Sequence, residues 1–226
     1  MNTERMYGTL CTLVRELDAN TEGHWAEEVI ADPARWAAKA LPAYSAAASL
    51  LADLRRQMDV RTTPGTAISA VKRVIAGASA SPRSPQGVFP WEDKFVVCDG
   101  YRLLRLNADI TSLPHVDSGL DVGSIMDPYP KGAGQLALPA AGEVKAFLAA
   151  EKARKKQEGK RFRLRPYCLE GWMYVDPRYL LDMMQALPGC TAERPERQID
   201  PIYFRAENGD GILCPMRPLK ECGENA

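Results

Sequence analysis

The spacing of apolar residues predicts helices over the first quarter of the chain. In residues 1–60 apolar side chains recur every three or four positions, and Asn20–Gly23, Pro33 and Pro42 divide this pattern into several helices. Pro33 follows Asp32, which is the usual order of a helix cap and its first residue. The sequence therefore predicts an all-helical N-terminal region, residues 1–62. We interpret it as a packing scaffold, with an independent binding module as the alternative.

Three helices are predicted in the rest of the chain. Residues 66–76 form a short helix, and residues 140–157 form the clearest helix of the sequence. The apolar face of the second ends near Ala150, so we expect its C-terminal half to project into solvent or onto a partner. A third helix starts after Asp176–Pro177 and stops at Pro188–Gly189. The positions expected to face the core are Ile68, Val71, Val74 and Ile75, then Val144, Phe147 and Leu148, then Leu180, Leu181, Met184 and Leu187.

Apolar runs rich in β-branched and aromatic residues predict strands and two hairpins. The stretch FVVCDGYRLLRLN, residues 95–107, places Asp99–Gly100 between two apolar runs, which is a strong signal for a hairpin with a type I′ turn. A second hairpin is predicted over residues 201–218, with its turn within Glu207–Gly211, and residues 161–175 also read as strands. Residues 108–135 are rich in Asp, Pro and Gly, and they predict a long loop or insertion that is either functional or mobile.

Composition points to an ordinary soluble protein. Hydrophobic residues make up 46% of the chain and charged residues 26%. We find no signal-peptide pattern and no apolar run long enough to span a bilayer. The six cysteines are scattered, without a Cys-x-x-Cys pair. We therefore expect an α+β protein of the cytoplasm, with reduced thiols and no membrane partner.

The net charge of zero hides a concentrated basic segment. Residues 145–165 contain nine basic and two acidic residues, so they carry a net charge of +7 that the rest of the chain balances. A basic patch of this kind can contact nucleic-acid phosphates without reading their sequence. The alternative is a solvated helix end followed by a charged edge strand that discourages aggregation.

Three short motifs occur in an order that resembles a known family. They are Asp99, Gly100, Arg102 and Leu103 in the first hairpin, then RYLLD at residues 178–182, then PMR at residues 215–217. This order resembles a domain of the bacterial sliding clamp, the β subunit of DNA polymerase III. The resemblance implies an α+β clamp-like domain over residues 63–220, an antiparallel sheet with packed helices, with a helical insertion at about 108–165 and a tail at 221–226. Clamps repeat this domain three times per chain, whereas the present sequence contains it once.

The resemblance also implies two candidate surfaces. In clamps, basic residues on inward-facing helices line the duplex, and partner peptides bind in a groove that includes the Pro-Met-Arg end. Lys72 and Arg73 match the first helix of that pattern, and the basic segment adds Lys152, Arg154, Lys155, Lys156, Lys160 and Arg161 as candidate nucleic-acid-binding residues. The candidate groove residues are Leu180, Pro215, Met216 and Arg217, although a methionine such as Met216 is more often a core residue. Asp99 and Arg102 are expected to serve the fold rather than chemistry.

No catalytic, cofactor or metal site is predicted. The sequence lacks a phosphate-binding P-loop, a dinucleotide glycine fingerprint, a nucleophile elbow and a His-Glu-x-x-His motif. His24 and His115 lie far apart, without neighbours at zinc-ligand spacing. Four loop carboxylates could in principle hold a cation, but we interpret them as solvated acids. They are Asp109, Asp117, Asp121 and Asp127.

The sequence therefore predicts a non-catalytic DNA-associated or replication-accessory protein, of the kind found on mobile elements. Its candidate partners are DNA and a replication protein or another protein. One alternative is an interaction scaffold that kept the clamp fold without DNA binding. Another is an unrecognised enzyme, which a deep pocket joining His115 to the loop carboxylates would favour.

Overall fold

A computed structural model describes residues 8, 11, 47–60, 63–78, 84–130, 134–159 and 162–217. The chain divides into two compact units, Met1–Thr62 and Thr63–Ala226. In the first unit the described residues are helical, and Leu51 and Leu54 of the continuous segment 47–60 are buried. The other helices predicted for residues 1–62 lie outside the described residues.

The second unit is α+β, as predicted, and its largest element is an antiparallel sheet. In chain order its described elements are α1 (Gly65–Ala78), β1 (Phe89–Trp91), β2 (Lys94–Cys98), β3 (Arg102–Leu106), α2 (Val122–Met126), β4 (Gln135–Leu136), α3 (Ala141–Glu158), β5 (Tyr167–Leu169), β6 (Met173–Val175), α4 (Pro177–Ala186), β7 (Thr191–Glu193), β8 (Ile202–Ala206) and β9 (Gly209–Leu213). Seven strands form the sheet in the order β1-β2-β3-β9-β8-β7-β4, and β5 and β6 form a separate pair.

Helices α1 and α4 pack against each other and against the sheet through the residues that helical periodicity selects. Ile68, Val71 and Val74 are buried on α1, and Leu180 is fully buried on α4. Helix α4 begins where expected, because the Asp176 side chain accepts the Arg178 N–H and Pro177 occupies the first turn. Further buried residues of this core layer come from α4 and the strands; they include Met183, Leu187, Leu104, Phe204 and Leu213.

The first predicted hairpin is present, but its turn differs from the predicted type. The Asp99 N–H donates to the Arg102 carbonyl at 3.1 Å, so Gly100 and Tyr101 are the central residues of the turn. Gly100 has a φ of 88°, whereas Asp99 does not have a positive φ. The type I′ prediction is therefore wrong, and the turn places glycine first, as a type II′ turn does. The Asp99 side chain fixes this geometry, since Oδ1 accepts the N–H groups of Tyr101 and Arg102.

The segment after the hairpin covers the opposite face of the sheet. Val122 and Met126 of α2 are fully buried there, against Val96, Leu103 and Ile212 of the strands. On the other face, residues 110, 113 and 144 belong to the main core. Residues 108–165 thus supply core side chains to both faces of the sheet, and they are not an appendage that lies outside the packed domain.

Candidate nucleic-acid interface

Helix α3 carries most of the predicted basic residues. It runs from Ala141 to Glu158, close to the predicted bounds, and Gly159 ends it with a φ of 57° that favours glycine. Lys155 and Lys156 lie in its last turn, where a positive charge complements the helix dipole. Val144 buries the helix against the core, and Phe147 and Leu148 are half-buried, as predicted. The helix is therefore anchored by its N-terminal half.

The lysines of α3 are exposed. Lys145, Lys152 and Lys156 are seven and four residues apart, so they share one face of a helix with 3.6 residues per turn. At 1.5 Å per residue this stripe is about 16 Å long. Lys155 is also exposed, and its ammonium lies 5.9 Å from the ring centroid of Phe162. Within the described ranges, none of these four lysines forms an ion pair.

Arg154 belongs to the same basic run but is engaged within the protein. Its guanidinium donates to the carboxylates of Glu151 and Glu158 and to the carbonyl of Arg163. It also lies 4.7 Å from the ring centroid of Phe162. These hydrogen bonds raise the pKa of Arg154 above its ordinary value, because the charged form is the donor to both carboxylates. Arg154 therefore organises this surface and offers little charge to a ligand.

Glu151 is the buried centre of this arrangement. It is only 3% exposed, and its carboxylate accepts from Arg154 Nε at 3.0 Å, Arg165 Nε at 3.1 Å and the Arg165 backbone N–H at 3.0 Å. The Arg154 hydrogen bond holds the pKa of Glu151 below its ordinary value, against the opposing effect of burial. The buried face of α3 thus continues beyond Ala150 with a carboxylate. Hydrophobic periodicity did not predict the burial of Glu151, although the i, i+3 spacing of Glu151 and Arg154 is a recognisable signal of an ion pair.

The remaining predicted basic residues fall into two groups. Lys72 is exposed on α1. Both α1 and α3 pack against α4. Arg73, also on α1, donates to Asp182 at 2.6 Å and to Gln185, so it bridges α1 and α4. Lys160 and Arg161 lie outside the described residues. The structure therefore brings together the α3 lysines, and it places Lys72 and Arg73 on another helix.

A buried ionic cluster joins the first hairpin to α1 and α4. The Arg102 guanidinium, 2% exposed, contacts Asp99 at 2.7 Å and Asp182 at 2.6 Å, and Asp182 also binds Arg73. The ring of Tyr179 lies 4.0 Å from the Arg102 guanidinium carbon. Asp99 and Arg102 thus make fold-determining contacts. The first motif contains Asp99 and Arg102 and the second ends at Asp182, but the contact between Arg102 and Asp182, 80 positions apart, could not be found from local spacing.

The residues predicted to form a peptide groove do not lie on one surface. Leu180 is fully buried in the core and does not line a groove. Pro215 is half-buried, Met216 is 39% exposed and Arg217 is exposed. The Met216 N–H donates to the Tyr174 carbonyl at 2.7 Å, which fixes this segment beside β6. The core interpretation of Met216 is therefore wrong.

One contact of the arrangement that would favour an enzyme is present, since His115 meets the loop carboxylate Asp109. His115 is bonded to Asp109 at 2.8 Å and to the Leu113 carbonyl, and Asp121 caps α2 through Ser124. In the part of the chain that the structure describes, no three metal-binding side chains come together. A cleft lined by residues 129, 193–196, 200, 201 and 203 has room for little more than a water molecule, and it does not include His115.

Comparisons with known proteins give no match. Neither a family model, nor a curated protein, nor a solved structure is similar to this chain at a significant level. The resemblance to sliding clamps therefore rests on the three motifs alone. Across the described segments, no helix combines the length and the apolar character needed to cross a bilayer.

Proposed function

We propose that this chain is a non-catalytic DNA-associated or replication-accessory protein, built on a clamp-like domain, whose α3 lysines contact phosphates. One observation carries the proposal. Four exposed lysines lie on a single helix without ion pairs among the described residues, while the arginine between them is engaged internally. Lysines that lack a protein partner are available to neutralise phosphates and release their counterions.

The aromatic side chains beside α3 favour contact with phosphates over contact with bases. Arg154 and Lys155 lie near the ring of Phe162. Phe147 and Tyr167 pack edge to face, with ring centroids 5.2 Å apart. Base stacking requires an aromatic face that is open to the ligand. Engaged rings beside exposed lysines therefore support binding that is independent of nucleotide sequence.

The number of lysines gives the expected salt dependence. Each phosphate neutralised on duplex DNA contributes about −0.9 to the slope of log K against log salt concentration. Three or four lysine contacts predict a slope of roughly −3 to −4. Raising the salt concentration from about 50 to about 200 mM should then weaken binding roughly 40- to 150-fold.

Fluorescence anisotropy with a short DNA duplex over a salt series tests this proposal. Lys152→Glu combined with Lys156→Glu reverses two charges of the stripe and leaves Arg154 intact. Arg197→Glu combined with Arg205→Glu is the matched control, because both arginines are exposed and the change in net charge is the same. We expect the lysine variant to lose most of its affinity and about two units of salt slope. Equal losses in the two variants, or no binding by the wild type at low salt, would refute the proposal.

A second candidate function is partner-peptide binding near the C-terminal end of the domain. Tyr101 and Met216 are large apolar side chains that are 57% and 39% exposed. The Tyr101 backbone is hydrogen-bonded to Cys214, two residues before Met216. The Cys214 N–H donates to the Tyr101 carbonyl, and the Tyr101 ring lies 5.9 Å from that of Tyr179. This surface supports the scaffold alternative. A protein partner retained by the wild type and lost by Tyr101→Ala with Met216→Ala, together with absent duplex binding, would favour it.

A further inference from the structure

We propose that Glu151, although it is an acid, is a positioning residue that the α3 phosphate-binding surface requires. This inference rests on the proposed function, since it concerns the same surface. It predicts that neutralising Glu151 changes the affinity for a polyanion in the direction opposite to that expected from net charge alone. Neutralising an acid within a basic patch ordinarily strengthens the binding of a polyanion, whereas here neutralisation should weaken it.

The geometry that supports this inference is a single carboxylate that joins two pieces of the surface. On the helix side Glu151 accepts two hydrogen bonds from Arg154. From the segment that leads into β5 it accepts the backbone N–H and the Nε of Arg165, 14 residues further along the chain. A carboxylate has about four acceptor sites, so all of them are used. Arg165, whose side chain is 59% exposed, is thereby held against α3, and exposed Arg163 lies two residues before it.

Arg154 extends the connection that Glu151 begins. The guanidinium donates to the Arg163 carbonyl and packs over Phe162 while it is bound to Glu151. Without the Glu151 carboxylate, Arg154 keeps Glu158 as its acidic partner on α3, and Arg165 loses its partner on the helix. The segment 162–165 is then joined to α3 by fewer hydrogen bonds. Its two cations no longer act together with the lysine stripe.

Glu158 provides a matched control on the same helix. It also binds Arg154, but its side chain is 37% exposed, and among the described residues its ion pair is confined to α3. Glu151→Gln and Glu158→Gln change the net charge equally, and both keep the size of the side chain. A purely electrostatic surface would respond to the two substitutions in the same direction. If Glu151 positions the cations of this surface, duplex affinity should fall in Glu151→Gln and should stay the same or rise in Glu158→Gln.

Duplex binding by both variants, measured by anisotropy over a salt series, tests the inference. We expect Glu151→Gln to bind about five- to tenfold more weakly near 0.1 M salt, with a salt slope shallower by about one, since one phosphate contact is worth about that much. Glu158→Gln should bind as tightly as the wild type or more tightly. If Glu151→Gln binds as tightly as the wild type, or more tightly, the inference is overturned. If the wild type does not bind at all, the proposed function fails first and the inference falls with it.

Limited trypsin digestion supplies a readout without nucleic acid. The Arg163–Leu164 bond follows the carbonyl that Arg154 holds, so Glu151→Gln should be cut there at least about tenfold faster than Glu158→Gln. Weaker duplex binding with unchanged cleavage would show that Glu151 does not act by positioning, and would overturn the inference. If Glu151→Gln does not fold by circular dichroism, Arg165→Met decides in its place. It should accelerate the same cleavage and weaken binding more than Lys145→Met, and equal effects of the two would overturn the inference.

Discussion

Removing Arg102 should destabilise the second unit more than removing any exposed arginine. The Arg102 side chain is 2% exposed and makes ion pairs with Asp99 and Asp182. In Arg102→Met the apolar volume is largely retained, but Asp99, 1% exposed, loses its cation. Asp182 keeps Arg73, whose side chain is 47% exposed. Breaking a buried ion pair by removing one partner costs about 3–5 kcal/mol, because it leaves a buried charge without compensation.

Arg178→Met is the matched control for this prediction. Arg178 makes the same kind of hydrogen bonds to one carboxylate, with Nη2 at 2.6 Å and Nε at 3.1 Å from Asp176, but its side chain is 60% exposed. Asp176 is also buried, at 9% side-chain exposure, but the guanidinium that it loses lies largely in water, where an ion pair is worth about 0–1 kcal/mol. The two variants remove the same chemical group, and they differ in the burial of that group and in the number of carboxylates that it binds. Their comparison therefore measures the cost of removing a buried cation.

Urea denaturation followed by circular dichroism measures both variants. At roughly 2–4 °C per kcal/mol for a domain of about this size, Arg102→Met should also lower the Tm by about 6–20 °C. Arg178→Met should lower it by at most a few degrees. A difference of less than about 1 kcal/mol between the two free energies of unfolding would refute the reasoning, since burial would then have no effect on the value of the pair.

Two further predictions concern backbone space and thiol reactivity. Gly209 has a φ of 149°, and a Cβ added there would lie 2.2 Å from the Arg105 carbonyl oxygen, so Gly209→Ala should destabilise by about 3 kcal/mol or more in urea denaturation. Gly142→Ala, which meets nothing within 4 Å on helix α3, should be neutral or slightly stabilising, and similar losses in both variants would contradict the prediction. Burial raises the pKa of Cys190 to about 11, so at pH 8 iodoacetamide should modify exposed Cys168 well before Cys190. Peptide mass spectrometry distinguishes the two sites, and equal labelling would count against the burial of Cys190.

Local patterns predicted the elements that local physics determines. The bounds of α3 and the start of α4 followed from periodicity and from the Asp176–Pro177 pair, whose cap is present as expected. The hairpin at β2 and β3 followed from two apolar runs around a glycine. In each case residues adjacent in sequence decide the outcome, so spacing and composition were sufficient.

Side-chain hydrogen bonds, which hydrophobic spacing does not report, explain what the patterns missed. The turn type was wrong because Asp99 satisfies two backbone N–H groups and also binds Arg102. The sequence did not separate Arg154 from the exposed lysines, because the contact of Arg154 with the Arg163 carbonyl forms only when residues 162–165 pack against α3. A count of charges treats all nine basic residues of the segment alike. The fold separates those engaged internally from those exposed to solvent.

The pairing of β3 with β9 determines the order in which this domain can form. Leu106 is paired with Gly209, so the middle of the sheet is completed by a strand made about 100 residues later. At synthesis rates of roughly 5–20 residues per second, β3 waits about 5–20 s with one edge unpaired. During that time Leu103 and Leu104, both buried in the finished sheet, lack their final neighbours. The nascent chain thus passes through an interval in which β3 can pair with other molecules, and chaperone dependence during synthesis should be greatest before residue 213 is available.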